Sequence, residues 1–335
     1  MAQIRLAAPR WAAFSALVAL TSGCIYHATG TVLSGYASEH LVPYMMASDD
    51  VPMACETGTS LGSFLMSCAR VAPSPDRAAL VSLVAAGMCA ESRAWDAELR
   101  RLRAARAGHA PDAQDALSEE KRAHFIAAQR FYAGFRRLNG IVGPIGQGTC
   151  PKIQADDELF YLLGLSAGVL AVLHDKAADG AAGVPTDIPA AVERGSECVS
   201  NEKWWGVPDA LKAAIWVAAP PLKPADKDPW AVLALSVHTG EAARVRLASA
   251  FQVQANVTAG RADEARKGIT AFAQAETTAC DPKWRLLDGY AASMVLHESD
   301  KFWIEDTGHR TPFGQLGSFE TKAPAEGADV DPFKE

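Results

Sequence analysis

The sequence predicts an all-α protein, an array of helical hairpins interrupted by an irregular Pro-, Gly- and Trp-rich insertion, and three observations carry that expectation. Apolar residues recur three, four and seven positions apart, the spacing that gathers them on one face of an α-helix. Leu61, Phe64, Leu65 and Cys68 form one such stripe and Leu247, Phe251 and Ala255 another. No segment sustains the period-two alternation of a half-buried strand. Breaks containing proline or glycine separate the stripes. With 49% apolar residues the chain can bury a sizeable core, and its net charge of −7 offers nothing to attract nucleic acid.

Taken in order, residues 1–23 read as an export signal. Arg5 and Arg10 precede Trp11–Leu20, an uncharged run, and small residues lead to a cleavage point. Leu20-Thr21-Ser22-Gly23-Cys24 resembles a bacterial lipobox, with Thr21 where an aliphatic residue is usual. That resemblance implies a lipidated Cys24 at the head of the mature chain; a signal peptide cut nearby, with Cys24 unmodified, is the alternative. Dropping Arg5 and Arg10 leaves 30 basic against 39 acidic residues, a charge of −9. The longest apolar run, Leu159–Leu173, is too short to cross a bilayer comfortably. The expectation is a chain anchored to a membrane. Ile25 after Cys24 fits release to the outer membrane, facing the periplasm.

Residues 24–49 form a lead from the anchor, and a helical block spans 50–218. Asp50 with Pro52 starts its first helix, which ends before Ala72-Pro73-Ser74-Pro75-Asp76. Asp76 opens a long helix to Gly108, making an αα-hairpin. The cluster Arg100, Arg101, Arg103 and Arg106 suits the C-terminal end of that helix, solvated. A third helix runs from Pro111-Asp112 to Asn139-Gly140, and a turning loop follows at 140–150. Leu159–Leu173 is then a central helix, apolar on every side, and Asp187–Arg194 a short one. A helix containing Leu211, Ile215 and Trp216 precedes a Pro-rich linker at 219–228. A second block covers 229–306, divided at Gly240, Gly260 and Asp281-Pro282. The tail is 307–335, disordered from about 321.

Six cysteines besides Cys24 suggest disulfides in an exported chain. In an antiparallel hairpin turning near 72–73, the position opposite Cys55 is about residue 90, and Cys89 lies there; two free buried thiols are the alternative. Cys150 with Cys198 would staple the two ends of the central section. Cys68 and Cys280 are then bridged to each other or free.

Few residues point to chemistry. Gly164-Leu165-Ser166-Ala167-Gly168 fits the G-x-S-x-G elbow of α/β-hydrolases, with Ser166 as nucleophile, His297 or His309 downstream and Asp228 or Asp281 as the acid. That elbow needs a strand before it and a sheet around it, and Ala/Leu helices fill this chain. Small residues on a tightly packed helix explain the same letters better. There is no C-x-x-C and no H-x-x-x-H, so the sequence calls for no metal or cofactor. His297 continues the Leu287–Tyr290–Met294 stripe and reads as a hydrogen-bonded core histidine, whereas His309 reads as exposed. The acidic pairs Asp49-Asp50, Glu119-Glu120 and Asp156-Asp157 sit at or near helix starts, where capping accounts for them. Trp204, Trp205, Trp216 and Trp230 either line a ligand groove or interface or pack the seam between blocks, and the seam is the better reading.

Gly260, Ala265 and Ile269 resemble the turn and second helix of a tetratricopeptide repeat. With the exported start, the Asp50 helix, the Pro73–Asp76 turn and the Ala/Phe/Tyr-rich third helix, residues 24–140 and 240–305, including Arg261 to Leu287, resemble the T-component lipoproteins of TRAP transporters. Residues 141–235 and His309-Arg310-Thr311-Pro312 depart from that pattern. The resemblance implies a periplasmic solute-binding protein as partner and a small ring-shaped homo-oligomer with a hydrophobic passage. The function expected is binding, to another envelope protein and to a small apolar or carboxylate ligand; a serine hydrolase using Ser166 and a structural envelope lipoprotein are the alternatives.

Overall fold

A computed structural model describes residues 24–275 and 280–319, with helices, turns and no strand among the described residues. The export signal expected at 1–23 and the disorder expected from about 321 lie outside the described residues. Among the described residues helix α1 covers 24–46, with a π turn at Ala37–Leu41, and Cys24 on it is exposed. Asp50 caps α2 (Val51–Cys68), its carboxylate accepting the Met53 amide hydrogen at 2.9 Å. Pro52 occupies the first turn, where no intrahelical donor is lost. Helices α3 (Asp76–Arg106) and α4 (Ala110–Val142) then run out and back. The expected stop at Asn139-Gly140 is displaced: Gly140 continues the helix, its missing Cβ leaving room for the Asp76 carboxylate, and α4 ends at Gly143, whose φ of 83° only glycine adopts readily.

The α2–α3 hairpin is closed by close contact and by a covalent staple. A Cβ on Gly58 would stand 2.5 Å from the Ser82 carbonyl oxygen and 2.9 Å from the Ala86 nitrogen, both backbone atoms. Cys55 and Cys89 are disulfide-bonded, with Cα atoms 5.2 Å apart, and Cys150 is bonded to Cys198, with Cα atoms 5.4 Å apart. Both pairings agree with the expectation. Cys68, buried, and Cys280 are free thiols.

Helix α5 (Glu158–Ala177) packs antiparallel to α4, with Tyr161, Leu165, Ala167 and Ala171 wholly buried. The stretch Ala155–Ala177 is long and apolar enough to cross a membrane, longer than the apolar run alone suggested. Most of it is buried inside the fold. Next come α6 (Ile188–Gly195), α7 (Val207–Ala218), α8 (Pro229–Ala243), α9 (Leu247–Thr258), α10 (Ala262–Gln274) and α11 (Arg285–Thr307). The Pro-rich segment 219–228 joins α7 to α8, which pack on each other and on α9 around a small apolar cluster that includes Trp216 and Leu233, while the main apolar core runs from Ala37 to Phe302. Helix α9 lies at the centre of the second half, against α7, α8, α10 and α11. Arg246, just before α9, ties three of these together: it donates to Asp288 at 2.6 and 2.9 Å and to the Phe272 carbonyl at 3.2 Å. Helix lengths run from 8 to 33 residues, without a uniform two-helix unit.

Helix α11 returns beside α3 with a constant offset. Glu91 meets Tyr290, Glu98 meets His297 and Arg106 meets Glu305, each pair 199 residues apart. A fixed difference in residue number, rather than a fixed sum, means that the two helices run parallel.

Gly58→Ala places a methyl group against backbone that cannot yield, and is expected to lower stability by about 1–3 kcal/mol. Gly35→Ala, with nothing within 4 Å of its new Cβ, is expected to raise it by about 0.5–1 kcal/mol; urea unfolding of both checks the contrast. Replacing Cys55 and Cys89 by serine opens a loop closed at a separation of 34 residues. Loop-closure entropy sets the expected loss at about 3–4 kcal/mol, read from the same unfolding curves.

Candidate functional site

The parallel α3–α11 pair carries the polar centre of the molecule. Glu91, Trp95 and Glu98 stand four and three residues apart, hence on one face of α3, and Tyr290, Met294, His297, Glu298 and Lys301 share a face of α11 in the same way. Tyr290 donates to Glu91 Oε2 at 2.6 Å, while His174 Nε2 from α5 lies 3.0 Å from Glu91 Oε1. His174 Nδ1 in turn lies 2.7 Å from Nδ1 of His124 on α4, so one hydrogen is shared between the two rings. Two turns further on, His297 Nε2 lies 3.0 Å from Glu98 Oε2, and the imidazole stacks on Trp95 with centroids 4.8 Å apart. Lys301 is shared between Glu98 Oε1 at 3.6 Å and Glu298 Oε2 at 3.0 Å, and Gln254 from α9 donates to Glu298 Oε1 at 3.0 Å.

Burial and charge shift four of these groups, Glu98, His124, Tyr290 and Lys301. Burial pushes the Glu98 carboxyl up, but the His297 hydrogen bond and the charges of Lys301, His297 and Arg101 outweigh it and hold the group at about 2. Burial, with His174 beside it, pushes His124 down to about 4. Burial also drives the Tyr290 phenol well above its ordinary value, reinforced by the charge and hydrogen bond of Glu91, so it stays a donor. Lys301 loses by burial, but Glu298 and Glu98 more than compensate and keep it charged.

Glu91, Trp95, Glu98, His124, His174, His297, Glu298 and Lys301, but not Tyr290, form one wall of a cavity of about 360 Å³, bounded by α3, α4, α5, α6, α7, α9 and α11. The facing wall is apolar, from Val169, Leu170 and Leu173 on α5, Leu211 and Ile215 on α7 and Phe251 on α9. The imidazole of His297 is 4% exposed, and its Nδ1 has no hydrogen-bond partner. Among the described residues no group of three His, Cys, Asp or Glu side chains is placed to hold a metal ion.

The residues singled out in the sequence fall as follows. Ser166 sits mid-helix on α5 and borders the cavity, its hydroxyl donating to the Leu162 carbonyl at 3.0 Å. The strand and sharp bend of a nucleophile elbow are absent there. A Cβ on Gly164 would meet Leu138 at 2.9 Å, and one on Gly168 would meet the Phe135 ring at 2.7 Å, so both glycines serve the contact of α5 with α4. Asp228 and Asp281 accept the Trp230 and Lys283 amide hydrogens at 3.0 Å as caps, and His309 is exposed. His297 is the hydrogen-bonded buried histidine the spacing suggested.

Trp204, Trp205 and Trp216 are buried, and none of the four tryptophans borders the cavity. Trp204 and Trp205 pack against Trp284, Trp216 donates to Glu193, and Arg261 covers the Trp230 ring at 4.0 Å. The groove reading of these tryptophans is therefore set aside for the packing one. Of the arginines expected to be solvated, Arg100, Arg103 and Arg106 are exposed, with Arg100 pairing with Glu119 and Arg106 donating to the Glu305 and Asp306 carbonyls, whereas Arg101 is partly buried and pairs with Glu120.

Sequence reasoning missed Glu91, Glu98, His124, His174 and Lys301. A signal was present in the spacing of Glu91 and Glu98 around Trp95, which puts two acids on the face that an amphipathic helix buries. Comparison with known protein families, curated proteins and solved structures finds no match.

The pH response follows from two depressed groups. His124 takes a proton at about 6.5 when unfolded and about 4 when folded, so the unfolded chain binds more protons between those values and stability falls as pH drops through that window. Glu98 moves from 4.5 to about 2, which extends the fall from 4.5 down to 2. Thermal unfolding against pH is expected to decline continuously from 6.5 downward, and His124→Asn to flatten the part above 4.5. A flat profile from pH 7 to 4.5 in the unmodified chain contradicts this account.

Proposed function

We propose that this chain is an exported lipoprotein of the bacterial cell envelope, anchored through acylated Cys24 in the outer membrane facing the periplasm, and that it works by binding. The observation that carries the binding reading is the cavity between α3, α11 and α5, apolar on one wall and charged on the other. Its volume lies within the range of small-molecule sites, which combine apolar lining with a few placed polar groups. The ligand is a small amphipathic molecule, with its apolar part toward α5 and α7 and its polar end toward α3 and α11. Cys24 is exposed and already helical, so acyl chains on it, at the head of a mature chain, would hold the folded body close to the bilayer. The protein partner in this reading is another envelope protein, a periplasmic solute-binding protein as the T-component resemblance implies.

Native mass spectrometry of the protein extracted from its own membranes in mild detergent tests both parts. The expected spectrum shows an acyl mass on Cys24 and a further non-covalent mass from a small molecule. Ala214→Trp, which fills the cavity from α7, is expected to keep the acyl mass and lose the other. An unacylated Cys24 overturns the anchor, and a chain that never carries a small molecule, unmodified or variant, overturns the ligand site.

A further inference from the structure

We infer that the outward face of α1 lies in the interface of the bilayer, where Ile25, Val32, Tyr36 and Tyr44 meet the lipid headgroups and upper acyl chains beside Cys24. The inference rests on the reading of Cys24 as an acylated anchor and adds the surface that the anchor brings down on the membrane.

The two sides of α1 differ in what covers them. Gly30, Ala37, Val42, Met45 and Met46 are buried against the fold. Gly30 is so close that a Cβ on it would stand 2.8 Å from that of Ala72. On the other side Ile25, Val32, Tyr36 and Tyr44 are 63%, 70%, 61% and 76% exposed. They stand seven, four and eight residues apart. The first two steps are helical repeats, and the π turn at Ala37–Leu41 takes up the extra residue of the third, so the four share one face. A contiguous apolar stripe left outside a folded chain marks a surface that something else covers.

Three observations make that cover a lipid surface. The stripe starts one residue after Cys24, so acyl chains there enter the membrane at its end. Tyrosine, an apolar ring with a polar tip, suits the headgroup level of a bilayer, and Tyr26 joins Tyr36 and Tyr44 in being exposed on α1. Charge is the third: residues 24–46 hold no Lys or Arg, and Glu39 is their one carboxylate, so little fixed charge is drawn toward hydrocarbon. The patch continues onto the α2–α3 turn, where Val71 is exposed and its carbonyl lies 2.8 Å from His27 Nδ1. Arg70, exposed beside Val71, is the single cation of that turn. Apolar burial therefore outweighs attraction to anionic lipid in this contact.

The lipidated protein, purified from its own membranes and reconstituted into vesicles of phosphatidylcholine brominated on its acyl chains, tests this. Val32→Trp and Tyr36→Trp, each checked for melting, put an indole on the stripe. Leu235→Trp is the exposed control, on α8, which packs on α7 and α9. The added emission is expected to fall by about half at positions 32 and 36, because an interfacial helix buries its apolar face to the acyl boundary, and to stay unchanged at 235. Adding phosphatidylglycerol is expected to alter none of these. An acylated chain quenched no more at 32 and 36 than at 235 overturns the inference and leaves the anchor standing. Quenching at 32 and 36 in a chain whose mass shows no acyl group keeps the α1 face and overturns the anchor; neither acyl group nor quenching overturns both. The other occupant is a second copy of this chain. If Val32→Glu with Tyr36→Glu turns a detergent-solubilised oligomer into a monomer, the face belongs to that copy and the membrane assignment falls.

Discussion

A carboxylate placed in the middle of a buried helix governs this structure. Glu91 is surrounded by the apolar half of α3, and a charge there costs several kcal/mol unless other groups meet it. Its two oxygens are met by Tyr290 from α11 and His174 from α5. Those contacts decide which helices lie beside α3 and in what register. The same register recurs at Glu98 with His297 and at Arg106 with the Glu305 carbonyl. A purely apolar interface would let α11 slide by a turn at small cost. Polar partners at a fixed offset of 199 residues penalise every other register, because each would leave a buried acid unmatched.

That constraint also explains why a cavity survives here. The glycine contacts that press α2 on α3 and α4 on α5 have no counterpart at the α3–α11 face, where long side chains span the gap. Glu98, Lys301, Glu298 and Gln254 form a chain of contacts that reaches across to α9. Helices α5 and α7 close the opposite side with apolar residues. The space between is bounded by two chemistries that do not fill it.

What the sequence made legible was local. Asp50 before Pro52, the Pro73–Asp76 break and the short connection after Arg106 define hairpins whose partners are neighbours in the chain. A hairpin turning near 72–73 places Cys55 opposite Cys89 by arithmetic alone, and the bridge is there. The all-α class followed from the same local spacing. Most of the site was not legible, because Glu91 and Tyr290 stand 199 residues apart and no local rule predicts that α11 lies parallel to α3. His297 could be read as buried and hydrogen-bonded from its stripe, but its partner could not. The tryptophans drew notice as large residues beside breaks, and they turned out to pack on one another and on arginine, away from the cavity.

The claim at the centre of the account is that the charged wall between α3 and α11 exists to hold a ligand as well as to set helix register. A high-resolution crystal structure of the protein isolated from its own membranes tests it most directly. The account predicts density for a small molecule in the cavity, with its polar end toward Glu98 and Lys301 and an apolar part against Leu170 and Ile215. A cavity closed by the side chains of α5 and α7, with no room for a ligand, would contradict it.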